Sequence, residues 1–351
     1  MPNYLTTEAA AKVLGVSTAR VRKLIKDGRL PGVKRGRDLF VAESDVDRFN
    51  AEGRKGVGRP KNNCCARRTI VGRTPMPFPR HSLRNGTIFM GDALEVLPSL
   101  PTAKYQSIIA DPPYFQVLLN EDWDNSWQSA EDYLEWSHEW VQQCRRLLTD
   151  DGLLFIFGQL GKREHVWLHL ASALAKQMQF HDMLIWDRMV GYNERYDSFT
   201  PQYEMILVLR KHANSKVFFD KDAVRLPYDE DTIKCYLRDK RYKDKSARER
   251  HLRKGKYATN ILRIPSLKGS SKEKAGHPAQ KPISLIRQLI AASTKEGDSI
   301  LDPFLGSGTT AVAAEELGRK WDGIEISPTY VEIAKGRLAL EAPAQMSLFP
   351  G

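Results

Sequence analysis

From residue 86 onward, short apolar runs alternate with longer amphipathic stretches. The runs at 87–90, 105–110, 153–157, 183–186 and 204–209 have the length and composition of strands. Between them, 131–148 sets Leu134, Val141, Cys144 and Leu148 on one stripe, and 162–177 reads as a second helix. Residues 213–275 break the rhythm and are highly charged. Regular pattern then returns: a helix at 282–293, a strand at 299–301, a helix over 309–317, a strand at 322–326, and a helix entered at Pro328 behind Ser327. The alternation predicts an α/β domain of seven strands.

The first fifty residues follow another pattern. Thr6 or Thr7 can cap a helix running to about Leu14, and Ser17 can cap a second running to about Asp27. Ala10, Val13, Leu14, Val16, Val21, Leu24 and Ile25 fall where two helices would pack across a tight turn. Arg20, Arg22, Lys23 and Lys26 lie on the second helix, and Lys34, Arg35 and Arg37 on a following β-turn or wing. This is the helix-turn-helix pattern, whose second helix can enter a major groove. A helical hairpin that binds protein is the alternative. Residues 51–85 read as a basic linker. Within it, Gly58-Arg59-Pro60-Lys61 makes only half of a minor-groove hook, because Val57 stands where an arginine is needed.

Charge sharpens this division. The chain of 351 residues carries a net +11, but the excess is local. Residues 1–84 hold 19 Lys/Arg against 7 Asp/Glu, residues 234–256 hold 11 against 3, and the remainder is acidic. Two basic regions on an acidic body point to a polyanion partner. In the second, Arg238, Lys240, Arg241 and Lys243 are interleaved with tyrosines and suit phosphate contacts with some stacking; a disordered charged loop would look similar. Cys64, Cys65, Cys144 and Cys235 lack metal-site spacing and read as reduced thiols, so no metal is expected. With no signal peptide and no apolar run of membrane-spanning length, a cytoplasmic protein without membrane association is expected.

Two short strings carry the chemistry. Gly306-Ser307-Gly308-Thr309-Thr310-Ala311 follows a strand and opens a helix, and Glu325 closes the next strand. Such a turn with a downstream acid suits an adenosine-containing cofactor, the acid binding ribose hydroxyls. NAD is disfavoured by Asp302-Pro303-Phe304 ahead of the glycines, and by the roughly forty residues that follow, too few for a second nucleotide half. The other string, Asp111-Pro112-Pro113-Tyr114, also ends a strand. Prolines fix φ and remove N–H donors. An aspartate and a proline carbonyl can together accept both hydrogens of an –NH2 group, and Tyr114 offers a ring for a base to stack on. The glycine turn comes late in the chain, so most strands must precede it. That order describes a circularly permuted sheet with the two turns side by side.

Together these strings resemble the S-adenosylmethionine-dependent amino-methyltransferases of DNA, in the permuted order called the β class. There an Asp-Pro-Pro-Tyr motif precedes a target-recognition insert and then a Phe-x-Gly-x-Gly turn, as Asp111–Tyr114, 213–275 and Phe304–Gly308 do here. Gly91-Asp92-Ala93-Leu94 and His277-Pro278-Ala279-Gln280-Lys281-Pro282 are similar to two further elements of that family. The resemblance implies a Rossmann-like sheet, S-adenosylmethionine as cofactor, double-stranded DNA as partner and base flipping. Asp92 and Ala93 would then lie by the cofactor's adenine and Glu325 by its ribose. His277, Gln280, Lys281 and Pro282 would line its methionine end, with Asp302, Phe304, Gly306, Ser307, Gly308 and Thr309 forming the turn. The N-terminal unit looks like the small excisionase/MerR-type module.

The expected organisation is a DNA-binding domain at 1–50, a linker at 51–85 and a methyltransferase domain at 86–345. That last splits into a catalytic region 86–212, an insert 213–275 and a cofactor region 276–345. A homodimer is left open. Within the family that the chain resembles, aspartate in place of serine at the head of the first motif implies adenine N6 as target. Cytosine N4, or a DNA-binding regulator with an inactive domain, are the alternatives.

Overall fold

The computed structural model describes residues 4–14, 18–26, 30–35, 38–52, 78–115, 117, 124–160, 165–191 and 196–341. Arg37, the half-hook at 58–61, Cys64, Cys65 and Trp123 lie outside them, as do the side chains of Arg20, Lys23, Lys26 and Arg35. The chain divides into two compact units, one containing the N-terminal module and one the large sheet.

In the N-terminal unit, β1 (Tyr4–Thr6) leads into α1 (Thr7–Leu14) and α2 (Thr18–Lys26). A hairpin of β2 (Val33–Arg35) and β3 (Asp38–Ala42) follows, then α3 (Glu43–Glu52). Thr6 caps α1, its Oγ1 accepting from Ala9 N at 3.2 Å. The strands pair antiparallel in the order β1-β3-β2, with Arg35 opposite Asp38 at the tip, which is the wing expected from sequence. Ala10, Val21, Leu24, Leu30, Val41 and Val46 form a closed core. Val13, expected in that core, is 45% exposed. Ala10, Ala11 and Leu14 make the inward face of α1, and Val13 lies off it.

The second unit opens with β4 (Arg80–Ser82), β5 (Gly86–Met90), α4 (Ala93–Val96) and β6 (Tyr105–Ala110). Then come α5 (Ala130–Leu147), β7 (Leu148–Gly158), α6 (Val166–Gln177), β8 (Gln179–Asp187) and β9 (Tyr203–Arg210). The charged segment contributes α7 (Glu230–Leu237), α8 (Lys245–Arg253) and β10 (Ile261–Arg263). The chain continues through α9 (Ile283–Ser293), β11 (Ser299–Asp302), α10 (Thr309–Glu316), β12 (Lys320–Glu325) and α11 (Pro328–Glu341).

These strands form one mixed sheet in the order β10-β8-β9-β7-β6-β11-β12-β5-β4. It has nine strands where seven were expected; β4 and β10, three residues each, are too short to show a period. All six residues of β6 are buried, as is the second half of β7, because helices cover both faces of the sheet's centre. Ile109, Phe155, Phe157, Ile206, Leu289, Ile290 and Val312 belong to its main core.

β6, β11, β12 and β5 run parallel, so Asp111, Asp302, Glu325 and Asp92 gather at one edge. Antiparallel β9 begins at that edge and delivers Glu204 to it. β11 lies between β6 and β12, which sets the glycine turn beside Asp-Pro-Pro-Tyr, as the sequence order predicts.

The segment 213–275 is not a featureless loop. Asp229 and Asp244 cap α7 and α8, accepting from Thr232 N and Ala247 N at 2.8 Å each. Leu226 and Lys256 bridge the base of the pair, and Ile233 and Leu252 bury its apolar side.

Candidate active site

The glycine turn is stereochemically obligatory. Gly306 (φ 54°) and Gly308 (φ 81°) both occupy the left-handed region. A Cβ on Gly306 would lie 3.3 Å from His277 Nε2, and one on Gly308 only 2.9 Å from Ala334 Cβ. Glu325 locks the turn to the end of β12: its two carboxylate oxygens accept from Gly306 N at 2.8 Å and from Ser327 N at 2.7 Å. Arg337, buried on α11, donates to the Ser307 carbonyl at 2.9 Å and to Thr309 Oγ1 at 3.0 Å. Asp92 caps α4 by accepting from Leu94 N at 2.8 Å, and Gly91 N bonds the Glu325 carbonyl. Ala93 is buried behind it. Asp92, Ala93, Gly306 to Thr309 and Glu325 are thus brought together.

Burial shifts the ionisation of several groups here. It pushes the Asp302 carboxyl up to about 7, against hydrogen bonds from Thr310 and from Phe304 N at 2.9 Å. Burial raises Glu325 too, against its backbone N–H donors. It lowers the His277 imidazole to about 4, leaving that ring neutral, 4.4 Å from the ring of Tyr330.

Three expected cofactor residues have other neighbours. Phe304 packs its ring 5.2 Å from Trp140 and 5.5 Å from Trp136, so two indoles of α5 anchor the start of the turn. Gln280 spans its own loop, accepting from Ala275 N at 2.8 Å and donating to the Glu273 carbonyl at 2.7 Å. Lys281 reaches the Asp-Pro-Pro-Tyr motif, placing Nζ 2.8 and 2.7 Å from the two oxygens of Asp111. Pro282 caps α9 behind it.

Around Lys281 a buried polar group assembles. Tyr114 donates to Asp111 Oδ1 at 2.6 Å, and its hydroxyl lies 3.2 Å from Glu204 Oε2. Glu204 lies 3.5 Å from Lys281 and pairs with Arg188 at 3.0 Å. Burial alone would lower the Lys281 ammonium's pKa, but Asp111 and Glu204 outweigh it and hold the group protonated. Burial and the same two carboxylates push the Tyr114 phenol well up. The Pro113 carbonyl accepts from Tyr133 on α5 at 2.8 Å, fixing the turn from outside. Pro112 is buried. Sequence reasoning missed Glu204, Arg188 and Tyr133. Glu204 had a signal, since it is a lone acid in the apolar run Tyr203–Leu209.

The basic candidates fall in two places. Arg238, Lys240, Arg241 and Lys243 are exposed in the turn between α7 and α8. Arg241 there pairs with Asp239 at 2.6 Å, and Arg248 stacks 4.2 Å from the Tyr242 ring. In the N-terminal unit the Arg22 and Lys34 side chains are exposed. Among the described residues no group of His, Cys, Asp and Glu is arranged to hold a metal ion, and no helix is long and apolar enough to cross a membrane.

A glycine cradle closed by a carboxylate, beside a carboxylate–proline turn on the next strand, defines an α/β group-transfer enzyme with a nucleoside cofactor. The comparisons narrow the class. A DNA methylase family profile matches residues 105–336, and a helix-turn-helix domain profile matches 4–54. The type II methyltransferase M.HpaI of Haemophilus parainfluenzae is 30% identical over 256 residues, covering 72% of this chain and 74% of its own. M2.DpnII of Streptococcus pneumoniae is 31% identical, covering 76% and 94%. Among solved structures, TTHA0409 of Thermus thermophilus, complexed with S-adenosyl-L-methionine, aligns with a TM-score of 0.50 at 25% identity, covering 73% of this chain and 94% of its own. PvuII DNA methyltransferase, cytosine-N4-specific, shares the fold with a TM-score of 0.55 at 19% identity, covering 75% and 88%. The protein belongs to the DNA methylase family and carries an N-terminal helix-turn-helix domain.

Proposed function

We propose that the protein transfers a methyl group from S-adenosylmethionine to the N6 amine of adenine in double-stranded DNA. The observation that carries the reading is the juxtaposition of Asp111 with the glycine turn, at the ends of neighbouring strands β6 and β11. Adenine specificity is further supported by the name of a relative, the DNA adenine methyltransferase YhdJ of Escherichia coli, 28% identical over 72% of this chain.

The cradle suits this cofactor. Two left-handed glycines packed against His277 and Ala334 keep the turn free of side chains, and the Asp92 and Glu325 carboxylates beside it match hydroxyl and amine donors. Asp92, Glu325 and the turn 306–309 would hold the nucleoside, with His277 against the far side of Gly306. When bound, S-adenosylmethionine supplies an electrophilic methyl group.

The remaining chemistry belongs to the chain. The target base must leave the helix, at a cost of a few kcal/mol of stacking and pairing. Asp111 accepts one N6 hydrogen and the Pro112 carbonyl the other, since the Pro113 carbonyl already serves Tyr133. This draws the nitrogen lone pair out of ring conjugation and aims it along the line of attack. Asp111 would oppose the positive charge on N6 as the N6–methyl bond forms and the methyl–sulfur bond breaks to leave a thioether; the surplus N6 proton then passes to water, and Tyr114 stacks on the base. Arg238, Lys240 and Lys243 contact phosphates, as do the basic residues of the helix-turn-helix unit.

Asp111→Ala should remove methyl transfer while largely sparing S-adenosylmethionine affinity, because the Asp111 carboxylate takes its hydrogen bonds from Tyr114 and Lys281. Isothermal titration alongside a methylation assay tests both. A variant with normal turnover would sink the assignment.

A further inference from the structure

Glu204 has no part in the motifs above, yet it is among the most enclosed charges in the protein, 6% exposed at the head of β9. A buried carboxylate costs several kcal/mol unless it is paired. Arg188 answers Oε1 at 3.0 Å; the Tyr114 hydroxyl, at 3.2 Å, and Lys281, at 3.5 Å, lie by Oε2. Lys281 is therefore one ammonium between two acids, closer to Asp111 than to Glu204.

That sharing answers a problem posed by the proposed chemistry. An Asp111 fully committed to Lys281 would be a closed ion pair, with little acceptor capacity for an incoming amine. An ammonium with a second carboxylate within reach can change partners without being left unpaired in a buried site. We propose that Glu204 is a positioning residue for methyl transfer, taking up Lys281 as Asp111 engages the amine of the extruded base. The inference rests on the role given to Asp111 above. No bond forms or breaks at Glu204, and Lys281 keeps its proton throughout.

The groups facing Lys281 come from every side of the site. They are Asp111 and Tyr114 after β6, Glu204 on β9, Arg188 after β8, and the Phe157 ring of β7, 5.2 Å from Nζ. His277, four residues earlier, feels the charges of both Asp111 and Lys281.

Glu204→Gln keeps the side chain's size and its acceptor for Tyr114, but removes the charge that draws Lys281. In the full-length protein, with S-adenosylmethionine and duplex DNA, kcat should fall about tenfold to a hundredfold, the scale of a misplaced reacting group. KM for either substrate should stay within about threefold. Glu204→Asp retains the charge but withdraws it from Lys281, so its kcat should fall as well. If Glu204→Gln does not fold, Glu204→Asp decides alone: a wild-type rate overturns the proposal. An active wild type whose Glu204→Gln variant has unchanged kcat, or a loss confined to KM, also overturns it. A wild type that methylates nothing instead fails the reading of Asp111.

Discussion

Asp302 illustrates how a single side chain at the sheet edge carries a measurable cost. Its folded-state pKa of about 7 stands above the ordinary 3.8, with burial the main cause. Between those values the folded protein keeps a proton that the unfolded chain has released, so stability falls as pH rises through the window. Asp302→Asn retains an acceptor for Phe304 N and removes the ionisation. Its melting temperature relative to wild type should climb from about pH 4 to pH 7 and then level off; a gap independent of pH would contradict this. Residue-scale chemistry was only partly legible beforehand. Asp111, Gly306, Gly308 and Glu325 announced themselves by motif and by place at strand ends. The partnership of Lys281 with Asp111 spans 170 positions and is fixed by the fold, so no local string could show it.

Elements with a clear period were legible nearly to their ends: α5, α9, β6 and β9 match the runs read from sequence. The short edges β4 and β10 were not, since three residues cannot display alternation. In 213–275 high charge masked two helices whose Asp229 and Asp244 caps were the available signal. The glycine turn gives the first test at this scale. Gly308→Ala imposes left-handed strain of about 1–2 kcal/mol and brings a Cβ to 2.9 Å from Ala334 Cβ. The urea midpoint should drop and S-adenosylmethionine affinity should fall with it; retention of both would contradict the cradle. The insert gives a second. Lys240→Gln and Lys243→Gln should each flatten the slope of log affinity against log salt by about 0.9 for a phosphate contact. Arg241→Gln should change it less, because its guanidinium is already committed to Asp239. Equal effects at all three positions would show that this pairing does not persist on DNA.

At the scale of the whole molecule, the chain forms two units with separate cores, and the proposed function gives the N-terminal one a share in holding DNA. Removal of residues 1–55 should weaken DNA affinity and reduce its salt dependence while leaving S-adenosylmethionine binding intact. Unchanged DNA affinity would make the helix-turn-helix unit a protein-binding module. The central claim concerns the product. Incubating the protein with methyl-labelled S-adenosylmethionine and mixed-sequence duplex DNA, then digesting to nucleosides and separating them, reads it directly. The account predicts label in N6-methyladenine, lost in Asp111→Ala. Label in N4-methylcytosine, or none in DNA, would contradict it.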